Sequence, residues 1–162
     1  MPSNLLKVAD ACKVAVEAIL GPLIPGVEVR QTWWYERFDA STTTGCKAFV
    51  WAFAEDSAPL PQGGDRGSQP RAYPLGVAFC ERMLSTVETF DAKDQWVRDR
   101  TAAALAVRDF FDDPESFTLP GLEDLPLVPT AVAEMPTADL DYLHRLGVWS
   151  TGFDFTIRED AT

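Results

Sequence analysis

The segment 148–160, V-W-S-T-G-F-D-F-T-I-R-E-D, constrains the fold more than any other part of the chain. Apolar and polar side chains alternate along it, and a strict period of two residues predicts a β-strand with one buried face and one wetted face. Burial of each large apolar side chain contributes about 1.5–3 kcal/mol, so the rest of the chain must supply a layer that covers this face. The residues expected in this core strand are Trp149, Phe153, Phe155 and Ile157, with Thr151 on the same face.

Three earlier segments show the alternation of strands. Residues 46–54 are apolar on both faces, small on one and aromatic on the other, which predicts a central strand covered on both sides. Residues 71–82 alternate large with small side chains, although Pro74 favours an edge strand or the start of a strand. A further strand begins at Gly26. The side chains expected in these strands are Val27, Val29, Trp33 and Tyr35; Cys46, Ala48, Val50 and Ala52 opposite Phe49, Trp51 and Phe53; and Tyr73, Leu75, Val77 and Phe79 opposite Gly76, Ala78 and Cys80.

Amphipathic spacing predicts two longer helices. The first covers residues 5–20, and the second begins near residue 90 with an alanine-rich middle that permits close packing on the sheet. The expected N-caps are Ser3 for the first helix and Thr89 or Asp91 for the second, and the expected stops are Gly21 with Pro22 and the sequence 112–114. The expected stripe of the second helix is Trp96, Ala103, Val107 and Phe110, widened by Leu105 and Phe111.

The order of the elements predicts an α+β fold. After the second helix, residues 115–129 are irregular, residues 130–134 form a short strand, and a brief helix opened by Pro136 and Thr137 is closed by Gly147 just before the last strand. Elements in this order predict a mainly antiparallel sheet of four to five strands, with the two longer helices packed on one face.

Residues 56–70, D-S-A-P-L-P-Q-G-G-D-R-G-S-Q-P, depart from this pattern. With three prolines, three glycines and almost no large apolar side chain, burial cannot offset the entropy cost of ordering them. We therefore expect a flexible arm that projects from a single domain of residues 1–162. A mobile hairpin tip and an assembly arm that orders against a partner both remain open. The assembly arm would comprise Pro59, Leu60, Pro61, Gln62, Gly63, Gly64, Asp65, Arg66 and Gly67.

Charge and cysteine usage argue against several classes of protein. The net charge of −11, from 25 acidic and 14 basic residues, argues against nucleic-acid binding as the main task, because phosphate recognition requires clustered Lys and Arg. No apolar run approaches the roughly 18–20 residues of a membrane span, and no basic region of a secretory signal is present, so we expect a soluble protein that is intracellular at synthesis. Cys12, Cys46 and Cys80 form no CxxC pair and are expected to be buried and reduced.

The residue types that carry catalysis form no strong set. His144 follows Asp139 and Asp141 at helical spacing, but two ligands without a distant third give only a weak signal of a metal site. No phosphate loop, dinucleotide-binding motif or nucleophile elbow occurs. The carboxylate pairs fall at element ends and in loops, where acidic residues act as caps and solubilisers; they are Glu55/Asp56, Asp112/Asp113 and Glu123/Asp124. We therefore predict no catalytic, metal-binding or cofactor-binding residue, no cofactor, and a protein that works through its surfaces.

Five stretches of the chain share their layout with a known group of proteins. They are the opening helix 5–20, the strand around Trp33-Trp34-Tyr35, the strand R-A-Y-P-L-G-V-A-F, the helix from Asp91, and the closing stretch M-P-T-A-D-L-D-Y-L-H-R-L-G-V-W-S-T-G-F-D-F-T-I-R. This layout resembles the small neck and tail-completion proteins of long-tailed bacteriophages and prophages, the tail-terminator group. The resemblance is one of pattern and covers most of the chain.

The resemblance implies a virion structural protein rather than an enzyme. Such proteins typically form a ring, often of six subunits, that ends the tail tube and docks to the head. The partners implied are further copies of the chain, tail-tube and head-connector proteins, and DNA that passes through the lumen without specific binding. The location implied is the virion neck or tail, with assembly in the host cytoplasm. Two alternatives stay open: a non-viral α+β interaction module, and a small hydrolase whose carboxylates converge only in the folded chain.

Overall fold

The computed structural model describes residues 4–32, 45–52, 71–130 and 139–159. They form one α+β domain with three helices and a mixed five-stranded sheet, which confirms the predicted fold class. The helices are α1 (Asn4–Leu23), α2 (Phe90–Asp112) and α3 (Leu140–Leu146). The strands are β1 (Glu28–Thr32), β2 (Lys47–Ala52), β3 (Ala72–Arg82), β4 (Leu127–Pro129) and β5 (Val148–Glu159).

The strands lie in the order β1-β2-β3-β5-β4, so the last strand of the sequence is inserted beside the central strand. β1 pairs with β2 in parallel, and the other three pairings are antiparallel. The β3–β5 pairing extends from Ala72 opposite Arg158 to Arg82 opposite Val148. This long pair forms the middle of the sheet, and the shorter strands extend it on both sides.

Both longer helices pack on the same face of the sheet, here called the inner face. α1 contacts β1, β2 and β3, α2 contacts β5, and the two helices contact each other. Side chains from both helices and from the strands merge into one hydrophobic core. Its fully buried members include Val8, Val16, Leu20, Val50, Tyr73, Leu75, Val77, Phe79, Phe111, Trp149 and Ile157.

The predicted core strand is confirmed in β5. Trp149 and Ile157 are completely buried, and Phe153 and Phe155 are nearly so. The ring of Phe155 stacks on that of Phe111 from α2, with 4.1 Å between the ring centroids. The strand therefore supplies the sheet side of the layer on which α2 lies.

β2 has the interior position that its apolar sequence predicts, between β1 and β3. Its small residues Ala48 and Val50 are fully buried on the inner face, while Phe49 on the opposite face is half-buried. The outer ends of two predicted strands, residues 33–35 and 53–54, lie outside the described residues.

Pro74 lies in the central strand β3, as its third residue. Of the two positions expected for it, the edge strand is wrong, and Pro74 lies near the start of a strand. Its partner across the ladder is Thr156, whose carbonyl oxygen accepts a bond from the Thr130 amide N–H, 2.7 Å away, on the β4 side. In an antiparallel ladder the N–H and C=O of one residue point to the same side, so the N–H of Thr156 also points towards β4. Pro74 and Thr156 therefore exchange no hydrogen bonds, and the N–H that proline lacks removes none from the β3–β5 pairing.

The first helix continues past the glycine–proline pair at 21–22 that was expected to stop it. It ends at Leu23 and includes the proline. A proline in the last turn removes a single backbone donor, and the Ile24 amide N–H still bonds the Leu20 carbonyl oxygen at 2.8 Å. The chain turns instead at Gly26, whose φ of +80° lies in the left-handed region.

α2 begins at the first of its two candidate caps. The Thr89 hydroxyl oxygen accepts a bond from the Ala92 amide N–H at 3.1 Å. Leu105 was expected to widen the buried stripe but is exposed, because it lies about 200° around the helix from both Ala103 and Val107. The buried residues of α2 are Trp96, Ala103, Ala104, Val107 and Phe111, and Phe110 is only half-buried.

α3 begins later than the start expected at residues 136–137, which lie outside the described ranges. Its N-cap is Asp139, whose carboxylate accepts a bond from the Tyr142 amide N–H at 3.0 Å. An aspartate at this position satisfies a free N–H of the first turn and so fixes the start of the helix. Gly147 closes it as expected, with a φ of +65° and an N–H bonded to the Leu143 carbonyl oxygen at 2.9 Å.

β4 lies at the end of the stretch 115–129 that was expected to be irregular, so that expectation is wrong for Leu127–Pro129. It directly precedes the short strand expected at 130–134. Leu127 and Pro129 bury their side chains on one face, and Pro129 stands opposite Ile157. Proline suits this edge strand, because an edge position leaves one row of N–H groups unpaired. Thr130 still bonds β5 through its amide N–H, and residues 131–134 lie outside the described residues.

Candidate interaction surfaces

The face of the sheet opposite α1 and α2 is here called the outer face. Directly paired residues of neighbouring strands share a face, so the register defines its members. Across the outer face, β1 carries mainly charged side chains, β2 carries an aromatic and a basic one, and β3 and β5 carry mostly small ones. The outer-face residues include Glu28, Arg30 and Thr32; Lys47 and Phe49; Ala72, Pro74, Gly76, Ala78, Cys80 and Arg82; and Val148, Ser150, Gly152, Asp154, Thr156 and Arg158.

Three charged side chains form a network at the β1 side of the outer face, here called the edge cluster. The Glu28 carboxylate accepts bonds from Arg30 Nε and from Lys47 Nζ. Arg30 is its most exposed member and Lys47 its least exposed. The bonds from Lys47 and then from Arg30 lower the pKa of Glu28, so the cluster keeps one anion between two cations at neutral pH.

Small residues allow β3 and β5 to approach closely at the centre of the outer face. Gly152 lies opposite Ala78, and a Cβ atom on it would stand only 2.9 Å from the Val77 carbonyl oxygen. Asp154 follows two residues later with an exposed side chain, and partial desolvation raises the pKa of its carboxyl group. The outer face of β5 is therefore polar and partly exposed, as its sequence predicts.

Three exposed apolar side chains, here together called the end patch, lie in the β3–α2 loop, at the start of α2 and at the end of α3. The Met83 amide N–H donates to the Gly147 carbonyl oxygen at 2.8 Å and so holds the loop and the end of α3 together. Phe90 is 84 % exposed and Leu84 is 64 % exposed, and Leu146 next to Gly147 is also exposed. Exposed apolar side chains of this size are candidates for contacts with a partner.

A buried ion pair joins the end of β3 to α2. Glu81 is the only charged residue among the described ones whose side chain is buried, and both its carboxylate oxygens accept bonds from Arg100, at 2.7 and 3.1 Å. The Arg100 guanidinium also lies over the Trp96 ring, 4.6 Å from its centroid. The bonds from Glu81 raise the pKa of Arg100. Both oxygens and the guanidinium are thus engaged, so this cluster fastens a helix to the sheet.

The three cysteines are buried and free, as expected from the sequence. Burial raises the pKa of the Cys46 thiol to about 12 and that of the Cys80 thiol to about 11. Burial also raises the pKa of Cys12. Because the thiolate is the reactive form, these thiols are poor nucleophiles and poor metal ligands at neutral pH.

The acidic residues around His144 have structural partners on α3. Asp139 caps the helix, and the Asp141 carboxylate accepts a bond from Arg145 Nε at 3.0 Å. His144 itself is exposed. Within the described ranges, no three His, Cys, Asp or Glu side chains converge in a way that would hold a metal ion.

The remaining carboxylate pairs also serve local structure where they are described. Asp113 accepts bonds from the Ser116 hydroxyl and from the amide N–H of Glu115, and these bonds lower the pKa of Asp113. Glu123 accepts a bond from the Gly121 amide N–H at 2.9 Å. Residues 55–56 lie outside the described residues, as do the nine candidate arm residues 59–67.

Two clusters were not predicted from the sequence, and only one of them is visible in a local pattern. Glu81 continues the series of alternate residues that buries Val77 and Phe79, so a charge on the inner face was visible in the period. The edge cluster brings Lys47 to Glu28 across a parallel pairing. That contact depends on the register of two strands that are distant in sequence, and no local pattern reveals it.

No protein-family model matches the chain, and no curated protein is significantly similar to it. No helix within the described ranges is both long enough and apolar enough to span a bilayer.

Proposed function

We propose that the chain is a structural protein of a bacteriophage neck or tail. In this role, copies of the chain form a homo-oligomeric ring. Its other partners, taken from the group that the chain resembles, are tail-tube and head-connector proteins. DNA passes through the lumen without specific binding. The working location is the virion, after assembly in the host cytoplasm.

The observation that carries this proposal is the difference in chemistry between the two faces of the sheet. α1 and α2 cover the inner face, whereas the outer face presents the edge cluster and a polar β5, and the end patch adds exposed apolar side chains. A subunit of a ring needs two different surfaces, one for each neighbour, and further surfaces for the tube and the head.

A role without catalysis is supported by what the polar groups do. The buried carboxylate of Glu81 is held by Arg100, and the raised pKa values of Cys46 and Cys80 keep both thiols protonated. Asp139 and Asp141 are engaged in capping and in an ion pair. Glu81, Asp139 and Asp141 thus stabilise the fold, the two thiols stay protonated, and the surfaces remain for contacts with partners.

The purified protein, alone and with tail tubes, tests the proposal. Light scattering after size exclusion and electron microscopy should show closed rings, free in solution or seated on the ends of tubes. A protein that stays monomeric at all concentrations and is absent from tube ends would contradict the proposal. Genes for portal, capsid or tail-tube proteins beside its gene would support it independently.

A further inference from the structure

The outer edge of β1 is a candidate for pairing with another strand. β1 is the last strand on its side of the sheet formed by the described residues. The Glu28 amide N–H bonds the Cys46 carbonyl oxygen at 3.0 Å, so the backbone of Glu28 points towards β2. Because successive residues of a strand direct their backbone groups to opposite sides, Val29 and Gln31 direct theirs away from β2.

The side chains of β1 suit a second copy of the same strand. Glu28 and Arg30 lie on the outer face with opposite charges, and Val29 between them is buried on the inner face. Suppose that two β1 strands pair antiparallel about a twofold axis that passes between the two Val29 residues. Glu28 of each copy then faces Arg30 of the other, which gives two pairs of opposite charge. The two valines then face each other on the inner side.

We infer that β1 is a homodimerisation edge, at which two copies join their sheets antiparallel with Val29 opposite Val29. The two Val29 residues then form a hydrogen-bonded pair. On either side of it, the Gln31 amide N–H of one copy faces the Val27 carbonyl oxygen of the other, because the Val27 amide N–H already bonds the Ile24 carbonyl oxygen at 3.1 Å. Glu28 and Arg30 form the intervening pairs, whose side chains are the closest in an antiparallel ladder. The partner is therefore a second copy of this chain.

Charge selects this register over its neighbour. Moving one strand by two residues keeps the outward backbone groups paired but places Arg30 opposite Arg30. Two guanidinium groups directly opposite each other are destabilising, whereas the inferred register alternates acidic and basic groups across the axis. Lys47 beside Glu28 extends this alternation into β2.

The first test is a charge reversal at the edge. Sedimentation velocity of the whole chain, from micromolar to near-millimolar concentration, should show a dimer. Arg30→Glu should weaken it about tenfold or more in Kd, because each Glu28 then faces a carboxylate. Arg158→Glu is the matched control, since it makes the same change on the same face at the far side of the sheet, and it should leave the Kd unchanged. A monomer throughout, or equal effects of both variants, would overturn the inference.

The second test restores the pairing without restoring the sequence. Arg30→Glu carries two acidic residues on the edge and Glu28→Arg carries two basic ones, so neither should dimerise with itself. Mixed together they should form a heterodimer, because every charge then faces its opposite. A mixture that stays monomeric, with both variants folded by circular dichroism, would refute the register.

A backbone variant separates pairing from charge. Gln31→Pro removes an N–H that points away from β2, so the fold should persist while the dimer weakens. Unchanged dimerisation would show that the contact lies elsewhere. The inference does not rest on the proposed function, because a twofold β1 pair is a contact separate from the two different surfaces through which ring subunits meet. Dimers without rings would contradict only the phage role, and rings built from monomers would contradict only the β1 edge.

Discussion

At the scale of single residues, Gly152 controls how closely β5 approaches β3. A Cβ atom there would lie 2.9 Å from the Val77 carbonyl oxygen, which belongs to the backbone and cannot rotate away. Gly152→Ala should therefore lower the free energy of unfolding by about 1–3 kcal/mol, as overpacking usually does. Urea denaturation measures this change.

Gly21 provides a control for the same substitution. It lies inside α1, and a Cβ atom added there would meet nothing within 4 Å. Gly21→Ala should therefore raise the free energy of unfolding by up to about 1 kcal/mol, because alanine favours the helix. Equal effects at both positions would show that the contact with Val77 carries no cost.

Phe155 is the residue at which a charge should be least tolerated. Its ring stacks on Phe111 at 4.1 Å and is 3 % exposed, so Phe155→Asp would bury an unpaired carboxylate and remove the stack. We expect loss of the cooperative unfolding transition in calorimetry. Asp154→Ala, at the exposed neighbour, should stay within about 0.5 kcal/mol of the parent protein. A folded Phe155→Asp protein would place the buried face elsewhere.

The Cys80 thiol makes stability depend on pH in the alkaline range. Burial raises its pKa from 9.0 to about 11, so the unfolded chain loses this proton at lower pH than the folded protein does. The protonated Cys80 thiol therefore contributes fully to the free energy of unfolding below about pH 9, and this contribution is lost as the pH rises towards 11. Urea denaturation of the parent protein should therefore show a steeper alkaline loss than that of Cys80→Ala. Parallel curves would show that the folded protein leaves this pKa unchanged.

At the scale of elements, strong periodicity was the reliable signal. The alternation in β5 and the stripe of α1 predicted both elements and their buried faces, because burial repeats with a fixed period along a strand or helix. The caps at Thr89 and Gly147 were also predictable, since their chemistry is local. Prediction from sequence therefore worked where one segment contained all the information.

Element ends and short elements depended on contacts elsewhere in the chain. β4 has three residues, and it is positioned by its pairing with the end of β5. The parallel pairing of β1 with β2, which assembles the edge cluster, joins strands whose register no local pattern reports. The surfaces proposed for contacts were therefore less predictable than the core.

The arm residues 59–67 provide a prediction about a single segment. If this segment serves assembly, its deletion should leave the Tm nearly unchanged and abolish ring formation, because its sequence offers little apolar surface for the core. Calorimetry and electron microscopy measure the two effects. A large fall in Tm would show instead that the segment belongs to the core.

At the scale of the whole molecule, the charge of −11 makes a prediction about DNA. A ring through which DNA moves should not retain it, and this chain has 25 acidic residues against 14 basic ones. Fluorescence anisotropy with duplex DNA should show no binding even near 50 mM salt, where phosphate contacts are strong. Binding that weakens steeply with added salt would reveal a basic surface and contradict this expectation.

The place of β5 in the sheet also has a consequence for biosynthesis. It is translated after every other described element, yet it lies between β3 and β4, and Val77 pairs with Phe153 across a separation of 76 residues. Pairings so distant in sequence slow folding and leave apolar surface uncovered meanwhile. Until β5 leaves the ribosome, the nascent chain holds a half-built sheet with one side of β3 unpaired. The sheet can therefore be completed only after β5 has been synthesised, and chaperones can bind the incomplete sheet until then.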